Sequence, residues 1–322
     1  MNGSDKLIKN IIKSKEGSIF MGLFALCFLL SIFTSTFLTT YNIGIVIRQV
    51  SFIAIVAIGQ TLVLLTAGID LSVGSIAGLT SIIGSLIMVH LNINPVFSLL
   101  FAIFLGMLFG SINGWFVAKL KLNAFIVTLA MGEVYAGLIL VITRGYPVLN
   151  LPENFNVYGQ GIVGNIPVPV IFMIIVAIMM NYILKRTPFG RNIYAIGGSM
   201  TAAKLVGIRV DRVIIRVYML SGMFSALAGM LLTSRMNAGQ PSIGSTWIMP
   251  SVTAAIIGGT SLSGGEGTIW GTLIGAIFMG VLANGIVLMD ISAYWERVII
   301  GLVVIMAVII DIVRKTRGKS SR

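Results

Sequence analysis

The chain has 322 residues, of which 57% are hydrophobic and only 10% are charged. Soluble domains carry about a quarter charged residues, so this composition excludes an ordinary soluble protein and predicts an all-α integral membrane protein. The net charge of +12 does not indicate a nucleic-acid-binding face, because the basic residues occur in short clusters between apolar runs, as in the cytoplasmic loops of membrane proteins.

The sequence offers few groups for catalysis or metal binding. Cys27 is the only cysteine and His90 the only histidine, so neither a disulfide framework nor a thiolate metal site is expected. We expect no catalytic residues, no metal and no cofactor. A membrane-embedded enzyme is the weakest interpretation, because acid-base catalysis needs groups that are scarce here.

Apolar segments of about 20 residues, the length of a helix that crosses a bilayer, occur at nine places. They lie near residues 19–39, 43–66, 72–91, 95–117, 123–143, 166–184, 213–234, 268–289 and 294–313. The first follows a basic N-terminus and is too long for a signal-peptide core, which predicts an uncleaved first helix.

The basic clusters predict a tenth crossing. They lie at the N-terminus, at Lys119 and Lys121, in the segment 185–212 and at the C-terminus. If all four are cytoplasmic, both termini are inside and the number of crossings is even. We therefore predict about ten helices, with a short or discontinuous one between Arg235 and Thr268.

Two glycine-rich strings, TAGIDLSVGSIAG around residue 70 and GGTSLSGGEG at 258–267, predict helix breaks. At an offset of 191 residues they align, and the flanking spans align with them. This predicts two parallel four-helix repeats, about 19–117 and about 213–313, within a single transmembrane domain, 1–322. The break residues are Gly68, Ser72, Gly74, Gly259, Ser263 and Gly265.

The second string contains Leu262-Ser263-Gly264-Gly265-Glu266, which is nearly the LSGGQ signature of ABC ATPases. That signature belongs to soluble domains that also carry a phosphate-binding loop, G-x-x-x-x-G-K-[ST], and this chain has no such sequence. Apolar stretches flank the string on both sides. We predict that it has a structural role and binds no nucleotide.

The strings GIDLSVGS, NAFIVTLA, GRNIYAIGG and AAIIGGTSLSGGEGTIWGTLIGA resemble the permease subunits of bacterial ABC sugar importers of the ribose, galactose and xylose type, a family that includes autoinducer-2 permeases. The resemblance covers about residues 45 to 313. It implies a multi-pass protein of the bacterial cytoplasmic (inner) membrane with cytoplasmic termini. It also implies three partners: a second permease subunit, a cytoplasmic ABC ATPase and an extracytoplasmic sugar-binding protein.

The segment 185–212 is predicted to be the coupling loop. Pro188 and Gly190 act as breakers and Gly197-Gly198 as turn glycines, while Ser199 caps a short helix through Val206. Such a short helix needs a partner, which could be its own bundle or headgroups, and in a permease would be a groove of the ATPase. The predicted coupling residues are Ser199, Ala202, Ala203, Lys204, Leu205, Gly207 and Arg209.

A neutral sugar needs hydrogen-bonding groups and aromatic faces rather than fixed charge. The uncharged candidate pathway residues are Gln49, Gln60, Thr128, Asn237, Trp247, Thr253 and Asn284, and the charged candidates near membrane depth are Asp70 and Glu133. For each polar candidate an interhelical hydrogen bond is the alternative, and for Asp70 the alternative is capping of the broken helix. Arg235 is either an outward loop anchor or a contact for the binding protein.

The sequence therefore predicts a permease subunit of an ATP-driven importer for a monosaccharide or small polyol, with a ribose-like sugar favoured. An autoinducer-2 or deoxysugar permease is the alternative within the family, because Ile248-Met249-Pro250 stands where many sugar permeases carry Glu-Leu-Asp. A self-contained secondary transporter is the alternative of another class. It would need a coupling-ion site, for which the chain has few deep carboxylates, and would leave the coupling loop unexplained.

Overall fold

The computed structural model of the chain describes residues 15–292, 294–295, 298–303, 305–306 and 308–309. Long helices dominate this part of the chain, which confirms the predicted all-α membrane fold. In chain order they are α1 (Lys15–Phe33), α2 (Thr40–Leu65), α3 (Val73–His90), α4 (Pro95–Lys119), α5 (Ala124–Thr143), α7 (Val168–Arg186), α10 (Val210–Met236) and α12 (Ile269–Leu288).

Shorter elements connect these helices. A 3₁₀ turn (Glu153–Phe155), helix α6 (Val157–Gln160) and an antiparallel hairpin of β1 (Ile162–Val163) and β2 (Ile166–Pro167) lie between α5 and α7. Helices α8 (Pro188–Gly198) and α9 (Met200–Leu205) precede α10, and helix α11 (Ile248–Ile257) precedes α12. The ten-residue α11 occupies the place of the short helix predicted between Arg235 and Thr268.

Seven helices within the described residues are long and apolar enough to cross a membrane: α2, α3, α4, α5, α7, α10 and α12. Two shorter apolar helices, Ile19–Phe33 and Ile248–Ile257, accompany them. The described residues between 294 and 309 are helical, at the position of the last predicted span. The basic N-terminus and the C-terminal cluster at 314–322 lie outside the described residues.

Side-chain caps explain where several helices begin. Asn94 accepts from the Val96 N–H at 2.9 Å, with Pro95 in the first turn of α4, and Asn123 accepts from the Phe125 N–H at 2.9 Å. An N-cap oxygen satisfies one of the backbone donors that a helix start leaves without an intrahelical partner. In a membrane, where water cannot replace such a bond, these short polar residues determine helix boundaries.

Helix α10 is the centre of the bundle, where it packs against α2, α3 and most closely against α4. A Cβ added to Gly106 or Gly110 of α4 would collide with the backbone of Gly222 or Tyr218 in α10, and one at Gly222 would collide with Gly106. Glycines at four-residue spacing let two helix backbones approach closely, and this packing stabilises helix pairs in lipid. The predictions did not single out this glycine row.

The segment 185–212 differs from its prediction in one element. Pro188 and Gly190 follow closely after the end of α7 at Arg186, so they separate two helices and do not begin an irregular stretch. They lie in the first turn of α8, whose N-cap Thr187 accepts from the Gly190 N–H at 3.3 Å. Proline fits the first helical turn because its missing N–H would have no intrahelical partner there. Gly197 and Gly198 are accordingly in the last turn of a helix and not in a free turn.

Candidate functional site

The first helix break, Thr66–Ser72 between α2 and α3, is built around the carboxylate of Asp70. This side chain is fully buried and accepts three hydrogen bonds: from Ser72 N at 3.0 Å, from Ser72 Oγ at 2.6 Å and from Ser221 Oγ of α10 at 2.8 Å. A buried carboxylate is tolerated when donors surround it. Asp70 therefore caps the break and ties it to the central helix.

Further polar side chains surround this carboxylate. Asn113 of α4 donates to Ser72 Oγ at 2.7 Å and accepts from Tyr135 OH of α5 at 3.1 Å. Gln60 of α2 donates to the Asp70 main-chain oxygen at 2.6 Å. Polar groups contributed by four helices and the break thus form one connected network, which fixes the break relative to its neighbours.

The second break, Gly258–Thr268 between α11 and α12, uses backbone freedom. Gly259, Gly264, Gly265 and Gly267 have positive φ angles of 89°, 81°, 75° and 155°. Its one carboxylate, Glu266, is exposed. Residues with a Cβ rarely adopt such angles, so this glycine content is a requirement of the path that the chain takes.

The two breaks contact each other. The Gly265 N–H donates to the main-chain oxygen of Leu65 at 3.0 Å, so the second break satisfies a carbonyl at the end of α2. Gly197 of α8 lies against both groups, because a Cβ there would collide with Leu65 O and Gly265 N. Tyr194 of α8 also donates to Gly267 O at 2.8 Å, and burial raises the pKa of its hydroxyl. We call this contact of α8 with both breaks the break junction.

The predicted break glycines act in different ways. Gly259 has the positive φ that the prediction requires, whereas at the end of α2 the residue with positive φ is Ala67, at 58°, and not Gly68. Gly74 is a helical residue of α3, and its role is close approach, because an added Cβ would collide with the main-chain oxygen of Gly244. A sequence offset aligns residue types and does not specify which residue carries the turn.

Helix α9 has the boundaries that the sequence predicts. Ser199 accepts from the Ala202 N–H at 3.2 Å, and Gly207 follows with φ of 82°. Its exposed residues include Leu205 and Val206, which are 84% and 76% exposed. Ala203, in contrast, is 2% exposed and packs in the core of this chain. Ala203 therefore lacks the surface that its predicted contact with a partner requires, and Leu205 and Val206 supply it.

Basic residues border α9. Lys204 and Arg209 line an open pocket together with Lys119, Asp211 and Arg212. Lys119 forms an ion pair with Asp211 at 3.2 Å, with both side chains about half exposed, so this pair contributes little to stability. The predicted rim residues Lys204 and Arg209 thus lie beside the exposed apolar residues of α9.

Most predicted pathway residues are buried inside this chain. Gln60, Thr128 and Thr253 are fully buried and Trp247 is 7% exposed. Thr128 and Thr253 bond the main-chain oxygens of Ala124 and Met249, each at 2.7 Å, so their hydroxyls satisfy their own helices. The short bonds of these two hydroxyls are thus within one helix and are not the interhelical bonds named as the alternative.

The remaining pathway candidates divide in two. Asn284 exchanges two hydrogen bonds with Asn42, at 3.0 and 2.9 Å, and so joins α12 to α2. Gln49, Glu133 and Asn237 are exposed on the surface of the chain. Arg235 is partly buried, with its guanidinium 5.8 Å from the centre of the Phe52 ring.

The sequence-based predictions missed the irregular segment Asn237–Trp247, between α10 and α11. Gly244 of this segment lies against Gly74 and Ile243 against Gly78, so the segment follows α3 into the bundle. Three consecutive turns, closed by the N–H groups of Ile243, Ser245 and Trp247, replace a helix. The run of Gly, Pro and Ser at 239–245 is the signal that could have indicated it.

Comparisons with known proteins give the family. Residues 42–308 match the family described as branched-chain amino acid transport system / permease component. The ribose import permease protein RbsC of Bacillus subtilis is 42% identical over 91% of this chain and 91% of its own, and that of Escherichia coli K12 is 38% identical over 92% and 93%. The xylose transport system permease protein XylH of Escherichia coli K12 is 30% identical over 95% of both chains.

The comparison with solved structures found no match. The permease relatives cover more than nine-tenths of the chain, and the family match over residues 42–308 includes both helix breaks and the segment 185–212. The predicted resemblance to sugar permeases is confirmed. The chain therefore belongs to this family of ABC importer permeases, multi-pass membrane proteins that are transporter components and not enzymes.

Proposed function

We propose that this chain is the permease subunit of an ATP-driven importer for a monosaccharide, with a ribose-like sugar as its substrate. The observation that carries the proposal is the 42% and 38% identity to two ribose import permeases, against 30% to a xylose permease over a similar share of the chain. A fructose import permease of Rhizobium meliloti, 38% identical over 85% of this chain, supports the wider class of monosaccharides.

The proposed assembly has two permease subunits, identical or related, in the bacterial inner membrane. A cytoplasmic ABC ATPase and an extracytoplasmic sugar-binding protein complete it. Within each permease a single domain, 1–322, contains ten crossings with cytoplasmic termini, in two parallel repeats at about 19–117 and 213–313. Matching bonds support the repeat: Ser72 N donates to the side chain of Asp70, and Ser263 N to that of Ser261 at 3.1 Å, at the offset of 191 residues.

The topology is tested by single cysteines at Gly3, Lys121 and Asn156 in a Cys27→Ser background. With ten crossings and basic loops inside, a membrane-impermeant maleimide applied to spheroplasts labels only position 156. All three sites react after permeabilisation, which shows that each cysteine is accessible. Labelling of position 121 in intact spheroplasts would contradict the topology.

Energy coupling in this proposal runs from α9 through α8 to the break junction. Leu205 and Val206 offer exposed apolar surface to the ATPase, with Ser199, Ala202, Lys204, Gly207 and Arg209 around them. Helix α8 ends at Gly198, directly before Ser199, and lies against Leu65 and Gly265. A displacement of α9 by ATP-driven closure of the ATPase would therefore move α8 against both breaks.

A pair of substitutions separates docking from folding. Leu205→Asp places a charge in the proposed contact but on an exposed position, so the chain folds while sugar-stimulated ATP hydrolysis and uptake are lost together. Ala203→Asp places the charge in this chain's own core, so less folded permease is recovered. If Leu205→Asp supports uptake at the wild-type rate, α9 is not the docking element.

The substrate class is tested by uptake in cells that lack their own ribose permease. The permease, expressed with its ATPase and binding protein, restores accumulation of labelled ribose, and unlabelled ribose competes better than xylose or fructose. Uptake that needs neither the ATPase nor ATP would support a secondary transporter. Competition by autoinducer-2 and not by ribose would assign the substrate to that alternative.

A further inference from the structure

The irregular segment Asn237–Trp247 begins at the outer end of the bundle under the proposed topology. Gly239 pairs with Val148 of the α5–α7 connection through two backbone hydrogen bonds of 2.9 Å. A Cβ on Gly239 would approach Ser85 Oγ to 2.5 Å, so the segment starts beside the last turns of α3.

The segment then descends along α3 toward the middle of the bundle. Its Gly244 lies against Gly74, which is eleven residues before Ser85 and so about 16 Å along a helix from it. Gly244 is therefore well inside the bundle, far from the outer end of the segment.

Irregular backbone at membrane depth is found only where protein covers it or where it lines a water-filled cavity. Helix α3 covers one side of this segment, where Ile243 and Gly244 are buried. The other side presents the hydroxyl groups of Ser242, Ser245 and Thr246, and these three residues are exposed on the surface of the chain. Contact of hydroxyl groups and turn carbonyls with lipid tails is energetically unfavourable.

Helix α5 adds a carboxylate to the same region. Glu133 is exposed at the middle of α5, and the next residue back, Gly132, lies beside Leu71 and Ser72 at the start of α3. Ile139 of α5 and Ile243 of the segment both meet Gly78. Helix α5 and the segment therefore flank the same stretch of α3. An ionised side chain at this depth faces protein or water in nearly all membrane proteins.

We propose that Ser242, Ser245, Thr246 and Glu133 line the water-filled passage for solute, on the face of this subunit that meets the second permease subunit. The passage would offer hydroxyls, turn carbonyls and one carboxylate, which suit a neutral polyhydroxylated solute that exchanges its hydration shell for such groups. This inference rests on the proposed function. It assigns the contact with solute to the irregular segment Asn237–Trp247 and to Glu133, and not to the buried polar residues of the helices.

Accessibility tests the passage without any sugar. Ser245→Cys and Thr246→Cys, in a Cys27→Ser background of the assembled transporter, react with a small water-soluble methanethiosulfonate cation. The control Ile178→Cys, at another exposed position in the middle of α7, does not react because it faces lipid. Absence of reaction at both 245 and 246, with reaction at Asn156→Cys as the positive control, overturns the proposal.

Transport provides the second measurement. Modification of Ser245→Cys reduces initial uptake by about tenfold, since the added group obstructs the passage, and saturating sugar slows the modification. Glu133→Gln keeps most uptake because an amide also bonds hydroxyls, whereas Glu133→Leu loses it. Equal uptake in both Glu133 variants together with unimpeded uptake after modification would overturn the assignment. Because the labelling needs no sugar, a wrong choice of sugar leaves the accessibility result intact.

Discussion

The two helix breaks of this protein perform similar tasks with different chemistry. At the first break, the side chains of Asp70 and Ser72 satisfy the freed groups, and Asp70 also joins α10 through Ser221. At the second break, four glycines with positive φ allow the turn, and the N–H of Gly265 bonds to Leu65. The first break is held by side chains from several helices, while the second is held by the Gly265–Leu65 backbone bond, by the Tyr194 hydroxyl of α8 and by its own Ser261, whose side chain accepts from Ser263 N.

This difference indicates which break moves. A buried hydrogen-bonded network is costly to rearrange, because a polar group that loses its partner is strongly disfavoured in a low-dielectric interior. Glycine-rich backbone has low barriers to rearrangement. We infer that the first break keeps its position during transport and that movement of α8 displaces the second break. Variants at the two breaks test this distinction.

The largest effect is expected from Asp70→Ala at the fixed break. The substitution leaves the hydroxyls of Ser72 and Ser221 without their acceptor, and each unpaired buried donor costs about 1–3 kcal/mol. We expect a lower midpoint of thermal unfolding in detergent and a poor yield of folded permease. Glu133→Gln, at an exposed carboxylate, is the control and leaves the midpoint unchanged. A wild-type midpoint for Asp70→Ala would show that the first break does not depend on its network.

Gly197→Ala is expected to disrupt the break junction and so to reduce transport. One methyl group at Gly197 meets Leu65 O and Gly265 N in the break junction, whereas one at the neighbouring Gly198 meets no atom within 4 Å. Uptake falls strongly in Gly197→Ala and is retained in Gly198→Ala, measured beside ATPase activity in proteoliposomes. Equal uptake in the two variants would remove the break junction from the coupling route.

Valine substitutions compare turn geometry with close packing. Gly259→Val forces a branched residue into a left-handed conformation that costs L-residues about 1–2 kcal/mol, and Gly74→Val separates α3 from Gly244. Both variants lose most transport, while the complex is still recovered in detergent. Gly22→Val, in α1 with no atom within 4 Å of an added Cβ, transports normally. Normal uptake by Gly259→Val would mean that this glycine is not needed for the moving break.

The smallest effect concerns the helices that flank the breaks. Thr61 of α2 and Thr272 of α12 share a hydrogen bond of 2.6 Å between buried hydroxyls. Interhelical bonds of this kind contribute about 0.6 kcal/mol on average in membrane proteins. A double-mutant cycle of Thr61→Val and Thr272→Val, followed by thermal unfolding, should give a coupling energy of this order. A coupling energy of zero would mean that this bond does not stabilise the packing of α12 against α2.

The long helices could be predicted from the sequence because hydropathy and length report directly on the bilayer. The predicted starts of α3, α4 and α5 agree with the structure to within one residue, since Asn94 and Asn123 are local caps. The α8 helix was missed because proline is favoured in the first turn of a helix but disrupts a helix interior, and the sequence does not show which applies to Pro188. The exposed face of α9 could not be predicted, since the packing of Ala203 depends on residues distant in the chain.

The sequence by itself determined the membrane class, the positions of the long spans, the two glycine-rich breaks and the family resemblance. These features depend on local composition, on the spacing of residues and on short motifs. Only the tertiary structure decided that Asp70 is bonded to Ser221, that Gly265 reaches Leu65 and that the segment Asn237–Trp247 follows α3. Each of these contacts joins residues far apart in the chain. The local sequence around a polar side chain in a helix does not show whether that side chain will face a neighbouring helix or a passage.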